Sequence, residues 1–112
     1  MPDGITVDAD GDIWVTVFDA GRLDRFAPSG NLRPGSSLVM PDAHLTSVAF
    51  GGTDLDTLLV TTGMPFMRGW LRTRRAGDGW LYGAPAPTRG LPSPAWHPVD
   101  LPTRLDRPGR AR

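Results

Sequence analysis

Fourteen glycines and twelve prolines in 112 residues make nearly a quarter of this chain turn formers or helix breakers. A long helix is excluded over most of its length, and short strands joined by turns are what such a sequence can build. The length allows one small domain with a thin core, since 39% of the residues are hydrophobic and 8% aromatic. Cysteine is absent. A disulfide framework, a thiolate metal site and a cysteine nucleophile are therefore excluded.

Charge divides the chain. Lys and Glu do not occur, and the formal net charge is zero. Asp outnumbers Arg nine to three between Met1 and Gly63, and the ratio reverses from Met64 to Arg112. No overall field draws the molecule to nucleic acid or to an anionic membrane, so neither is expected as a partner. The opening residues Met1 to Gly11 show no basic segment followed by an apolar one, and no apolar run approaches the length of a bilayer span. A cytoplasmic protein is the expectation.

The acidic half alternates short apolar runs with turn signals. Ile5-Thr6-Val7 leads into Asp8-Ala9-Asp10-Gly11-Asp12, where Asp10-Gly11 is a hairpin signal. Ile13 to Phe18 is β-branched or aromatic at nearly every position, as in an inner strand buried on both faces. Arg22 to Phe26 alternates, with Leu23 and Phe26 as the expected core contacts, and Leu38-Val39-Met40 supplies a short fourth strand. A similar unit then begins: a strand at Thr46–Phe50, a turn from Gly51 to Asp56, and an apolar strand at Thr57–Thr62. Val48 lies 43 positions after Ile5, and Val60 lies 45 after Val15. A four-stranded sheet recurring at ~40–45 residues is the period of a propeller blade. Such units bury their faces against neighbours, so about two of them call for further copies or a longer protein.

The wording of these strands resembles a known family. Pro2-Asp3-Gly4-Ile5-Thr6-Val7-Asp8, Gly11-Asp12-Ile13-Trp14-Val15, Gly21-Arg22-Leu23-Asp24-Arg25, Thr46 to Gly52 and Asp54 to Thr61 are similar to the C-terminal third of the SMP-30/gluconolactonase/LRE-like (regucalcin-type) family. Gly79-Trp80-Leu81-Tyr82 and Arg89 to Trp96 resemble its last strand and terminal segment. The resemblance implies an all-β fold, a partial β-propeller of about two blades from a six-bladed family architecture. Residues 1–96 would form it, as a blade over 3–41 and an incomplete blade over 46–96, with 97–112 a Pro/Arg-rich disordered tail.

The resemblance also implies a chemistry. The family hydrolyses sugar lactones with a divalent cation, Ca, Zn, Mn or Mg, held in part by the Asp of the Pro-Asp-Gly motif. Asp3 stands at that position and is the implied metal ligand and catalytic residue; the family's other ligands have no counterpart in this sequence. The cation would polarise the lactone carbonyl while a carboxylate takes a proton from water. Read without the family, Asp3 is an Asx turn at a strand start. A chain with one ligand is expected to be inactive alone.

Other candidates are weaker. Asp8-x-Asp10-x-Asp12 imitates a calcium loop, but Ile13 occupies the position that needs Gly, so a solvated hairpin turn is the expectation. His44 and His97 are isolated histidines in loop contexts and are expected at the surface. Ser36, Ser37 and Ser47 lack a nucleophile elbow, and Gly51-Gly52 precedes a strand, which makes it a turn and not a phosphate cradle. The Arg-rich segment 68–75 reads as a surface connection. Two alternatives to a partial lactonase stand beside it. One is a non-catalytic binding module on the propeller scaffold, and the other a self-assembling blade pair that covers exposed strand edges and brings together three copies of Asp3.

Overall fold

A computed structural model describes residues 1–63 and 79–96 together with the backbone of Phe66–Met67 and Trp70–Leu71. Every regular element among them is a strand. The first sheet is a meander in the order β1 (Pro2–Val7), β2 (Ile13–Val17), β3 (Arg22–Phe26) and β4 (Leu38–Val39), antiparallel throughout. The second runs β5 (Leu45–Gly51), β6 (Thr57–Thr62) and, after an excursion, β9 (Leu81–Pro85). Within that excursion β7 (Phe66–Met67) and β8 (Trp70–Leu71) pair with each other. The sequence-expected Arg segment 68–75 otherwise lies outside the described residues, as do His97 and the expected tail.

The turns follow their residue chemistry. Gly11, Gly21 and Gly52 take positive φ in the turns from β1 to β2, β2 to β3 and β5 to β6, a conformation that costs a side chain about 1 kcal/mol or more. Asp19 does the same at φ 67, and Asp is among the residues that tolerate it. Pro2 occupies the first position of an edge strand, where its missing N–H breaks no ladder.

The two sheets pack face to face with β5 lying against β1 and β2. Trp14, Leu23, Leu45, Val48, Leu58 and Val60 form the buried core between them. Trp14 meets Phe50 edge-on, with ring centroids 6.3 Å apart and an interplanar angle of 86°. Strand β2 is buried on one face only: Trp14 and Thr16 are fully covered, whereas Ile13, Val15 and Val17 are half-buried. Phe26 pairs with Ile13 on that second face, so Leu23 is the core contact of β3 and Phe26 is not. An unbroken β-branched run specifies apolar surroundings on both sides, and the described residues supply only one of them.

Candidate active site

Asp3 is exposed and stands on an irregular stretch of β1. The register against β2 shifts between Pro2, which faces Val17, and Ile5, which faces Val15. An irregularity of this kind re-aims a side chain at the rim of a sheet. Its surroundings hold it on both sides. Met1 and Phe18 exchange backbone hydrogen bonds of 2.7 and 2.9 Å just before it. Just after it, the Thr16 hydroxyl lies 3.1 Å from the Gly4 carbonyl oxygen and 3.3 Å from that of Thr46, joining β1, β2 and β5. Gly4 allows this approach: a Cβ there would lie 2.5 Å from Ser47 Cα.

Close to this rim is a cluster that isolated-residue reasoning misses. His44 is buried, contrary to the expected surface placement. Its Nε2 lies 3.6 Å from an Asp19 carboxylate oxygen and its Nδ1 3.9 Å from Asp42 Oδ1. The ring stacks at a tilt on Phe18, centroids 5.3 Å apart. The Asp42 side chain accepts the His44 backbone N–H at 2.8 Å in an Asx turn, and its buried Oδ2 has no hydrogen-bond partner among the described residues.

A divalent cation needs several oxygen donors, ~6–8 for Ca²⁺. Among the described residues no group of three His or Asp side chains is placed to hold one. Asp3 by itself is one carboxylate, so the residues described here do not fit a closed cation site.

At the opposite end of β1 the expected solvated turn is instead a buried ion network. Asp8 and Asp12 are fully buried, and only Asp10 of the three is exposed. Asp8 accepts the backbone N–H groups of Asp10 and Asp12 on one oxygen and the Trp14 indole N–H, at 2.9 Å, on the other. Arg25, opposite Trp14 in the register, reaches Asp8, Asp10 and Asp12 within 3.0 Å and lies over the Trp14 ring. Arg33 clamps Asp12 through two bonds of 2.8 and 2.9 Å. The calcium-like spacing serves a turn whose counter-ions are arginines from β3 and the loop after it. The returning chain also docks here: Ala9 N–H bonds the Arg89 carbonyl at 2.8 Å, and Thr88 Oγ1 donates to Asp10.

These pairs set an acid limit on stability. The Arg33 hydrogen bonds, with its charge and that of Arg25, outweigh burial and hold the Asp12 carboxyl below the usual range. For Asp24, burial pushes upward, and hydrogen bonds from Ser37 and Arg22 more than offset it. A carboxyl with a lowered folded-state pKa stabilises the fold above its ordinary value, about 3.9, and that stability is lost as the pH falls through the lower folded-state value. Urea midpoints are expected to hold steady from neutrality to about pH 5 and to fall below about pH 4. Arg33→Ala should shrink the acid-dependent part, and an unchanged pH profile in that variant would remove Asp12 as its source.

Comparison with known proteins supplies the context. Residues 1–64 match the family model for the SMP-30/Gluconolactonase/LRE-like region. The chain belongs to this family. It is 31% identical to regucalcin of Gallus gallus over 82% of this chain and 31% of that protein. It is 42% identical to pentonolactonase XacC of Haloferax volcanii over 55% of this chain and 21% of that one. The solved structure of a luciferin-regenerating enzyme superposes with a TM-score of 0.68 at 31% identity, covering 80% of this chain and 30% of the enzyme. The chain thus spans less than a third of the length of these relatives. Its two packed antiparallel sheets are part of a β-propeller. Among the described residues no helix is long and apolar enough to cross a membrane.

Proposed function

We propose that this chain is part of a sugar-lactone hydrolase of the gluconolactonase type, and that Asp3 is the residue this segment gives to the site. The observation that carries the reading is the exposed Asp3 carboxylate on a bulged strand start fixed from both sides, within residues 1–64 of the family match. The relatives' names point to the substrate class, since one is a pentonolactonase and another a 6-deoxy-6-sulfogluconolactonase. In this reaction water adds to the lactone carbonyl carbon, the ring C–O bond breaks, and the ring oxygen takes up a proton to leave a hydroxy acid. Asp3 accepts the proton of the attacking water. A divalent cation, Ca, Zn, Mn or Mg, belongs to this reading only with donors from beyond the described residues. The two sheets are read as a blade over 3–41 and an incomplete blade over 46–96 of a six-bladed closure, inactive by themselves.

The test grafts the matching stretch of this chain into the pentonolactonase. The chimaera is expected to hydrolyse a pentonolactone, and Asp3→Asn or Asp3→Ala within it to lose about a hundredfold or more in kcat/KM. The 112-residue chain alone should not exceed the buffer rate. An active chimaera indifferent to Asp3 would remove that residue from the reaction.

A further inference from the structure

The end of the first sheet that presents Asp3 also presents a second carboxylate. Met1 and Phe18 face each other across the start of β1 and the end of β2, so Asp19 stands just past β2 at the rim where Asp3 enters β1. At about 3.3 Å per residue along a strand and about 4.8 Å between strands, the two α-carbons are on the order of 10 Å apart. A sugar lactone with its carbonyl at Asp3 and a hydroxyl at Asp19 spans such a distance once a hydrogen bond is added at each end. The Asp19 side chain is 46% exposed, so it meets solutes at this rim.

Asp19 is held in a conformation that few side chains adopt. Its φ of 67 is left-handed, and such an outlier persists only where the surroundings over-determine it. Gly21, in the same turn, donates its N–H to the Ala43 carbonyl at 3.3 Å and accepts the Met40 N–H at 2.8 Å, which ties the turn to the segment before β5. From that segment the buried His44 brings Nε2 to 3.6 Å from an Asp19 oxygen. His44 is fixed in turn by its stack on Phe18 and by Asp42, whose Oδ1 takes the His44 backbone N–H and lies 3.9 Å from Nδ1. An ionised carboxylate accepts at about four lone-pair sites on two oxygens, so Asp19 serves the imidazole and further donors together. Sugar hydroxyls are such donors, and their hydrogen bonds to a charged oxygen are the strong kind.

We infer that Asp19 recognises a hydroxyl group of the lactone, and that His44 is the residue that positions it. This role rests on the hydrolase reading above and adds recognition to it: Asp3 acts on the water at the carbonyl, and Asp19 accepts a hydroxyl of the same molecule away from that carbon. The substrate class is accordingly the polyhydroxylated lactones. A lactone without the hydroxyl at the recognised position is a poorer substrate, because the carboxylate gives up water on binding and regains no donor.

The pentonolactonase chimaera tests it, with a pentonolactone and its singly deoxygenated analogues as substrates or competing inhibitors. Asp19→Gly removes the carboxylate and suits a positive φ, so the turn is retained. Its KM for the pentonolactone should rise about tenfold or more, by a larger factor than kcat falls. For the analogue that lacks the recognised hydroxyl, the same substitution should change kcat/KM by less than about twofold. His44→Phe keeps a ring to stack on Phe18 but has no nitrogen to face Asp19. It should reproduce the selective loss in weaker form and add nothing in the Asp19→Gly background, and His44→Gln replaces it if it does not fold. Asp3→Asn should lose activity on all of these lactones alike, which separates the two roles. An Asp3-dependent chimaera in which Asp19→Gly affects every lactone equally, or none of them, would overturn the inference and leave the hydrolase reading standing. A chimaera indifferent to Asp3 would sink that reading, and this role for Asp19 with it.

Discussion

Replacing Asp8 by alanine is expected to lower the stability of the fold by on the order of 3 kcal/mol, the cost of leaving several buried donors without their acceptor. One carboxylate serves the Trp14 indole at 2.9 Å, the Arg25 guanidinium at 2.8 Å, and two backbone N–H groups of the turn that joins β1 to β2. Its loss leaves the buried indole N–H without this acceptor, which by itself costs about 1–3 kcal/mol. Arg25 retains Asp10 and Asp12, so its charge is not stranded, and the loss stays below the cost of an uncompensated buried charge. Asp8→Asn should fall between wild type and alanine, because one amide oxygen remains to accept while the amide nitrogen opposes the donors around it. Urea unfolding followed by tryptophan emission measures both. A loss under about 1 kcal/mol in Asp8→Ala would mean that water or a neighbour replaces the carboxylate, and that the network does not hold the turn.

That network also shows where sequence reading runs out. The strands were legible because apolar alternation and glycine turns act locally: β1, β2, β3, β5 and β6 all fall where the apolar runs lie, and the start of β9 at Leu81 matches the resemblance to the family's last strand. The family was legible because its motifs span residues that remain contiguous in sequence. What was not legible depends on pairings across the sheets. Asp8 and Asp12 read as solvated because their counter-ions, Arg25 and Arg33, lie on β3 and beyond it, and only the Trp14–Arg25 register brings them together. His44 read as a surface residue for the same reason. Its burial requires Phe18 from the end of β2 and the Asx turn of Asp42, neither of which a lone histidine announces. The apolar second face of β2 was legible as a demand for burial. Its partner was not, since it belongs to a surface that the described residues do not supply.

Gly4→Ala is expected to cost about 3 kcal/mol, at the upper end of what overpacking takes, and to disturb Asp3 as well. A Cβ at position 4 would lie 2.5 Å from Ser47 Cα and 2.7 Å from the Thr46 carbonyl oxygen, both on the backbone of β5. No rotamer relieves such a contact, so β1 must move away from β5. That movement strains the bond between Thr16 Oγ1 and the Gly4 carbonyl and shifts the segment that presents Asp3. Gly51→Ala is the matched control. Its Cβ would lie 2.7 Å from Leu59 Cδ1, nearly as close, but the obstacle is the end of a flexible and exposed side chain that can turn away. It should cost less than about 1 kcal/mol. In the pentonolactonase chimaera, a displacement of Asp3 on the order of 1 Å lowers turnover by about a hundredfold although the carboxylate is intact. Gly4→Ala should therefore reduce activity in molecules that remain folded, whereas Gly51→Ala should leave it unchanged. Equal stabilities for the two variants would mean that β1 and β5 slide apart at little cost, and that the frame around Asp3 is not held by their close approach.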